Sequence, residues 1–434
     1  MNELTNKSVV VIGAARSGLA VASLLKQQGA NVFVSDHAKI SDAVKLQLAN
    51  NQIPYEENGH TKKARSADMA VLSPGVPDTI PLVRDYLGNG KKVVSELEVA
   101  SWFNKSKMIA VTGSNGKTTV ASWLNHTWEK AQKPCLAAGN IGSAFSGEVS
   151  RTGPDTTVIL EVSSFQLDHI ERFRPDIGII LNITPDHLDR YDNDFELYKQ
   201  SKFRITENQT AEDIFIYNFE DPALVGRADE LKKKKTGPQL LAFSDSREVE
   251  EGAFIRDQQI VFKINNKEEP FMHIDEIGLP GRHNLNNGLA TALAARASEI
   301  KNDAIRESLK TFEGVEHRLE QVRIFKGVRY INDSKATNIN AVWYALDSFN
   351  MPIVLILGGR DKGNDYTELE GQLREKVHTV IAIGEAQSAI KKQIGKIVPH
   401  YLEADTMKDA VRLACKQAKR GEIVLLSPAC SSFD

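Results

Sequence analysis

A chain of 434 residues is long enough for two to four domains, each burying its own core. At 41% hydrophobic, 26% charged and 7% aromatic residues its composition is that of a globular protein, and no apolar run approaches the ~20 residues that span a bilayer. A net charge of -3 leaves no electrostatic footprint for nucleic acid, three scattered cysteines make neither a disulfide framework nor a zinc site, and residues 1–7 lack a signal-peptide pattern. The expectation is a cytoplasmic protein with no nucleic-acid partner and no membrane partner.

The first segment alternates strand and helix patterns: strands over residues 8–12, 31–35 and 69–72, a helix over 17–28, and a last strand at Val93 and Val94 before a boundary near residue 97. That order predicts a doubly wound, Rossmann-like unit. Its first turn reads Gly13-Ala14-Ala15-Arg16-Ser17-Gly18, a Gly-x-Gly-x-x-Gly pattern with Ala15 at the second glycine. Asp36 ends the next strand, where an acid that binds a ribose would sit. The pattern fits a dinucleotide site, and it fits equally a tight strand-to-helix turn that needs small residues.

The second segment opens with an apolar strand, Met108-Ile109-Ala110-Val111, followed by Thr112-Gly113-Ser114-Asn115-Gly116-Lys117-Thr118-Thr119 and a helix-compatible run. Strand, glycine-rich loop and helix form a phosphate cradle: backbone N–H groups wrap the phosphates, Lys117 reaches the β- and γ-phosphates, and the Thr118 hydroxyl can hold Mg²⁺. The match to the common P-loop is partial, because Val111 stands where that motif has its first glycine. Glu161 ends a strand over 157–162, a place that suits a carboxylate sharing Mg²⁺ with phosphates and water. Further strands are expected over 176–182, 214–217 and 240–243, then an antiparallel appendage over 252–274 turning at Asp257-Gln258-Gln259. The Lys run 232–235 reads as a solvated surface. An Ala-rich helix follows over 285–299, with Asn284 as a suitable N-cap. By residue type alone, His187 suits a solvated loop and Lys202 a surface helix position.

The third segment, from about residue 314, has a hairpin signal at Lys326-Gly327 and strands over 322–325, 328–331, 353–357, 379–383 and 422–426 with helical patterns between them, a second Rossmann-like unit. Asn332-Asp333-Ser334-Lys335-Ala336-Thr337-Asn338 follows a strand and precedes a helix, and no packing purpose explains it.

Thr-Gly-x-Asn-Gly-Lys-Thr-Thr resembles the ATP loop of the Mur ligase family, the ATP-dependent amide-forming enzymes of peptidoglycan precursor synthesis. Glu161-Val162-Ser163-Ser164-Phe165-Gln166-Leu167, Asn182 to Arg190 (with Asp186-His187-Leu188-Asp189-Arg190) and the terminal Ser427-Pro428-Ala429-Cys430-Ser431-Ser432-Phe433-Asp434 extend the likeness from near residue 8 to the end. The last run resembles the branch that adds D-glutamate to UDP-N-acetylmuramoyl-L-alanine. The resemblance implies an α/β chain of three domains: N- and C-terminal Rossmann-like units (1–97 and 314–434) flanking a central P-loop mononucleotide-binding domain (98–313) with the small antiparallel appendage. It implies ATP and two Mg²⁺ ions, and a monomer acting on small molecules. The UDP part of the substrate would meet Ala15, Arg16, Ser17, Asp36 and the loop Ser73-Pro74-Gly75, with Asn140 on the diphosphate side of the catalytic centre. ATP would meet Gly113, Ser114, Asn115, Gly116, Lys117, Thr118 and Thr119, with Asn284 and Asn287 at adenine and Arg318, Asp333 and Lys335 reaching it from the third domain. Catalysis would fall to Lys117, Glu161, His187 and Lys202. The metal ligands would be Thr118, Glu161, His187 and Lys202, the last as a carbamate. D-glutamate would meet Thr337, Lys362, Ser432 and Phe433, Lys362 pairing with a carboxylate. Members of the family continue past the terminal motif through another loop and helix, so part of the glutamate pocket is expected beyond Asp434.

Three other readings stand beside this one. They are another Mur ligase or a folylpolyglutamate synthase relative, a nicotinamide-dependent oxidoreductase built on Gly13 and Asp36, and a non-catalytic nucleotide-binding module. The oxidoreductase leaves Lys117, His187 and the Asp333 run without roles.

Overall fold

Short apolar runs, buried on both faces at the sheet centres and more exposed at the edges, build three sheets, seen in a computed structural model that describes residues 4–234, 236–361 and 363–430. The first holds β1 (Ser8–Ile12), β2 (Asn31–Ser35), β3 (Tyr55–Glu56), β4 (Met69–Leu72) and β5 (Lys92–Ser95). All are parallel, in the order β3-β2-β1-β4-β5. The order reverses at β1, so the carboxyl ends of β1 and β4 open a crevice where ligands bind in such sheets. β3 escaped the sequence reading because two residues carry no period.

The second sheet holds β6 (Lys107–Thr112), β7 (Cys135–Gly139), β8 (Thr157–Glu161), β9 (Ile177–Ile180), β10 (Ile214–Asn218), β11 (Gln239–Ser244), β12 (Gly252–Arg256), β13 (Gln259–Ile264) and β14 (Lys267–His273). Its order is β14-β13-β12-β11-β10-β9-β6-β8-β7. The expected antiparallel appendage is β12 to β14, continuous with the parallel sheet through the β11–β12 pair. Its hairpins turn on two residues each, Asp257-Gln258 (φ 50° and 59°) and Asn265-Asn266 (φ 54° and 59°). Both central residues are left-handed, which matches the twist of paired strands.

The third sheet holds β15 (Glu320–Phe325), β16 (Val328–Asn332), β17 (Ile353–Gly358), β18 (Val377–Ile383), β19 (His400–Ala404) and β20 (Ile423–Leu426), in the order β15-β16-β20-β17-β18-β19. The hairpin expected at Lys326-Gly327 is there, with φ of 51° and 78°. The sequence reading missed β19, an edge strand whose pattern mixes exposed and half-buried positions.

One helix boundary differs from expectation. The Ala-rich helix runs Arg282–Ala297, so Asn284 lies in its first turn and is not its N-cap. Gly281 takes φ 104° just before the helix, and the Asn284 amide donates back to the Pro280 carbonyl at 2.7 Å. A glycine free to turn starts the helix earlier than a side-chain cap would.

The chain forms two compact units, Met1–Glu276 with Asn286–Leu309, and Ile277–Leu285 with Lys310–Asp434. Within the first, Glu98 ties the first sheet's last helix to the chain after β8. It is fully buried and accepts the backbone N–H groups of Glu171 (3.0 Å), Arg172 (2.9 Å) and Phe173 (2.9 Å) and the Trp102 indole N–H (2.7 Å). Glu98→Ala strands four donors, so the unfolding free energy in urea should fall by about 3 kcal/mol or more. A loss below about 1 kcal/mol would mean that water replaces the carboxylate.

Candidate active site

The phosphate loop joins β6 to the helix Lys117–Lys130. Gly113 (φ 146°) and Gly116 (φ 87°) take backbone conformations that L side chains rarely adopt. A Cβ on Gly116 would also sit 2.5 Å from the Asn287 amide oxygen, so Asn287 lies against the loop. The chain after β9 holds the loop in shape. Asn115 N–H donates to the Asn182 side chain at 2.9 Å, and the Asn182 amide returns to the Asn115 carbonyl at 3.1 Å. Ser114 Oγ donates to the Thr184 carbonyl at 2.7 Å and accepts the Thr184 N–H at 2.9 Å. Lys117 Nζ folds over its own loop, donating to the carbonyls of Gly113 (2.8 Å) and Ser114 (2.9 Å).

The register Val111↔Glu161 sets Glu161 beside the start of this loop. Its carboxylate is 2% exposed. Oε1 accepts the Asn140 amide at 2.9 Å, and Oε2 is buried with no hydrogen-bond partner among the described residues. A buried carboxylate oxygen left without a donor is costly unless a cation takes it. Asn140 comes from the chain after β7, where Gly139 runs so close to β8 that a Cβ would sit 2.4 Å from the Glu161 carbonyl.

Lys202 overturns the surface reading of its residue type. It lies on the helix Phe195–Phe203, 2% exposed, and donates to the Gly113 carbonyl at 3.0 Å. Burial first, and the Lys117 charge second, push its amine well below the usual lysine range. Tyr198, one turn earlier, presents its ring 4.6 Å from Lys202 Nζ and its hydroxyl 3.1 Å from Ser114 Oγ. Ser201 anchors the helix through a 2.9 Å bond to the Ser164 carbonyl. His187 occupies a left-handed position (φ 53°), its Nε2 lies 3.7 Å from an Asp186 oxygen, and its ring meets the Phe165 edge at 5.3 Å. The sequence reading assigned no role to Tyr198 or Asn182. The four-residue spacing from Tyr198 to Lys202 was the available signal, since it puts both on one helix face.

Among the described residues no group of three His, Cys, Asp or Glu side chains forms a metal cage. The unpartnered Glu161 oxygen and the Thr118 hydroxyl are oxygen donors of the type Mg²⁺ accepts alongside phosphate and water.

In the first sheet, Gly13 (φ 93°) and Gly18 meet so closely that a Cβ on Gly18 would lie 1.8 Å from the Gly13 carbonyl. Ala15 precedes the helix Arg16–Gln27 and Ser17 lies inside it. Arg16 donates to the Gly142 carbonyl, and Ser73, ahead of Pro74 and Gly75, donates to the Gly13 carbonyl at 3.1 Å. Asp36 accepts the Ala14 N–H at 2.6 Å and the Ala38 N–H at 2.8 Å.

In the second unit, Asp333 follows β16 and is 5% exposed. It accepts the Ser427 hydroxyl at 2.8 Å and the Leu319 N–H at 3.3 Å. Lys335 N–H donates to the His317 carbonyl at 3.2 Å. Asn338, just after Thr337, caps the helix Ile339–Asp347 through the Ala341 N–H at 2.8 Å. Burial raises the Asp333 carboxyl to about 6, against the opposing effects of Ser427 and the Arg318 charge. Its folded pKa lies above the unfolded value, so the folded state holds the extra proton between about pH 4 and 6. Stability should therefore fall as pH rises through that window, by up to about 3 kcal/mol, and Asp333→Asn should flatten the profile in a urea series. Lys362, Ser432 and Phe433 lie outside the described residues.

Three domain profiles match the chain: a MurD N-terminal domain over residues 8–80, a Mur ligase middle domain over 111–295, and a Mur ligase, glutamate ligase domain over 317–430. The UDP-N-acetylmuramoylalanine--D-glutamate ligase of Salinibacter ruber is 47% identical over 438 residues, covering 100% of this chain and 95% of its own. The protein of the same name from Christiangramia forsetii is 44% identical over 429 residues, covering 99% and 95%. In fold, the chain is similar to the UDP-N-acetylmuramate-alanine ligase of Thermotoga maritima, with a TM-score of 0.61 at 17% identity over 98% of this chain and 96% of that one. Matched end to end by these relatives and segment by segment by the profiles, the chain belongs to the Mur ligase family.

Proposed function

We propose that this chain is an ATP-dependent, ADP-forming ligase that joins D-glutamate to UDP-N-acetylmuramoyl-L-alanine through an acyl phosphate. The observation that carries the reading is the stapled phosphate loop with Lys117, the buried Glu161 and the buried Lys202 gathered at its rim, in a chain whose relatives bear that activity in their names. The substrate carboxylate attacks the γ-phosphate of ATP, ADP leaves, the amine of D-glutamate attacks the acyl phosphate, and phosphate departs. Lys117 swings from its loop carbonyls to the β- and γ-phosphate oxygens and offsets charge as it develops. Loop N–H groups orient the triphosphate, and Asn140 holds Glu161 in place.

Two Mg²⁺ ions, when bound, supply Lewis-acid stabilisation of the phosphates. Thr118 and Glu161 would hold one, and His187 and a carbamylated Lys202 the other. Asn284 and Asn287 would take adenine. Arg318, Asp333 and Lys335 would take ATP, and Thr337, Lys362, Ser432 and Phe433 the glutamate. We assign residues 1–97 to the UDP substrate, 98–313 to ATP and 314–434 to the amino acid. The protein acts as a cytoplasmic monomer on small molecules, and among the described residues no helix is long and apolar enough to cross a membrane.

The test is phosphate release with ATP and UDP-N-acetylmuramoyl-L-alanine across a panel of amino acids. Turnover that depends on D-glutamate supports the reading, and turnover with another amino acid, or none, overturns it. Within the same assay, Lys362→Ala should raise the KM for D-glutamate about tenfold or more, as for loss of a charge-assisted pair, and leave the KM for ATP unmoved. A shift in the ATP KM instead would assign Lys362 to the nucleotide.

A further inference from the structure

A chain of polar side chains behind the catalytic centre has no part in the chemistry above. Glu161 ends β8, and the short helix Ser164–Leu167 that follows it stops at Asp168. The Tyr191 hydroxyl lies 2.8 Å from Asp168 Oδ2 and 3.2 Å from Ser201 Oγ. Ser201 Oγ donates to the Ser164 carbonyl at 2.9 Å. Tyr191 and Ser201 are both buried. The chain of bonds therefore starts and ends on the short helix after Glu161, and it takes in the neighbour of Lys202 on the helix Phe195–Phe203.

A count of hydrogens shows what Asp168 adds. A carbonyl only accepts, so the Ser201 hydrogen goes to Ser164. The hydrogen of Tyr191 must then serve two oxygens, unless Asp168 brings one of its own. Burial raises the Asp168 carboxyl above its usual range, against the Ser201 and Tyr191 bonds, and so favours the acid form that brings it. Tyr191 also reaches His187. The two residues flank the turn Leu188–Arg190. The Tyr191 ring stacks on Phe165 with centroids 6.0 Å apart and planes 16° apart, and Phe165, inside the same short helix, meets the His187 ring at 5.3 Å. His187 keeps a left-handed backbone (φ 53°), a conformation that persists only where the surroundings hold it. Beyond Lys202, Arg204 donates to the carbonyl of Asp168 and, at 2.8 Å, to that of Ile170. The segment that begins at Asp168 thus grips the chain on both sides of Lys202.

We propose that Asp168 is a positioning residue for the ligation reaction: through the Tyr191 hydroxyl it fixes Lys202 and His187 in place relative to Glu161. The inference rests on the assignment of Lys202 and His187 to a metal ion. Ligands carried on separate segments share an ion only while those segments keep their register, and the groups that orient them govern how tightly the ion is held. Here the segments are the turn after His187, the helix of Lys202 and the short helix after Glu161, and the Tyr191 hydroxyl is the point where all three meet.

The test uses the full chain with Tyr191→Phe, Asp168→Ala and Asp168→Asn. Tyr191→Phe keeps the ring on Phe165 and removes only the hydroxyl, so it separates positioning from folding. One readout is the Mg²⁺ concentration that gives half-maximal turnover. The other is the carbon NMR signal of a Lys202 carbamate in protein held under labelled bicarbonate. Tyr191→Phe and Asp168→Ala should raise the Mg²⁺ requirement about tenfold or more, the usual cost of losing a group that orients a metal ligand, and should weaken the carbamate signal. Asp168→Asn, whose amide keeps a bond to Tyr191, should recover most of the wild-type Mg²⁺ requirement. An unchanged Mg²⁺ requirement in Tyr191→Phe, whatever its melting temperature, overturns the positioning role while the metal assignment stands. So does an Asp168→Asn variant that falls as far as Asp168→Ala. A wild type without any carbamate signal overturns the assignment of Lys202 itself, and the inference with it.

Discussion

Lys202→Ala should lose about 10²-fold or more in turnover, and acetate or another short carboxylate should restore part of it. The expectation comes from where the lysine sits. A buried ammonium beside Lys117 is unfavourable twice over, through lost hydration and through like charge, so its amine is driven toward the neutral form. A neutral amine can take up CO₂ and become a carbamate, a hard oxygen ligand of the kind Mg²⁺ prefers. Acetate in the cavity left by the substitution supplies the same oxygens. The substitution leaves a cavity and removes the bond to the Gly113 carbonyl, so a melting curve taken beside the activity assay separates lost chemistry from lost fold. Full activity in Lys202→Ala, or the absence of a carbamate in the mass or carbon NMR spectrum of protein held under bicarbonate, would sink the assignment.

Lys117→Ala should lose turnover by at least about 10²-fold, in line with the removal of other electrostatic stabilisers, and no carboxylate should rescue it. Binding of the UDP substrate should survive, because the crevice proposed for it in the first sheet, at Gly13, Asp36 and Ser73, is held by bonds that do not involve the phosphate loop. In the free enzyme the Lys117 ammonium caps the Gly113 and Ser114 carbonyls, so the variant should also loosen the loop and raise the KM for ATP. Equal loss of ATP and UDP-substrate binding by calorimetry would point to a misfolded variant or a wrong assignment. The two lysines are separable by these readouts: carboxylate rescue belongs to Lys202 alone.

Much of this chain was legible without a structure because the signals are local. The two-residue hairpin at Lys326-Gly327, the phosphate loop between β6 and its helix, and the acid at the end of β8 each depend on a few neighbouring residues and the φ angles they tolerate. The same holds for the alternation of strand and helix, which implied three parallel-rich sheets and an antiparallel appendage. Only the tertiary structure decided the rest. Residue type and period put Lys202 on the surface, and its burial follows from packing against the Gly113 loop, 89 residues away in the chain. Asn140 meets Glu161 across 21 residues, Ser114 meets Thr184 across 70 and Glu98 meets residues 171–173 across 73 to 75, and no local pattern encodes such pairs. β3 and β19 form because a neighbouring strand edge was there to be paired, and the Asn284 helix started early because Gly281 was free to turn. Turn chemistry and periodicity are properties of the chain. Burial, proton position and the partner of a buried polar group belong to the packed sheets, since each is set by atoms that folding alone brings within bonding distance.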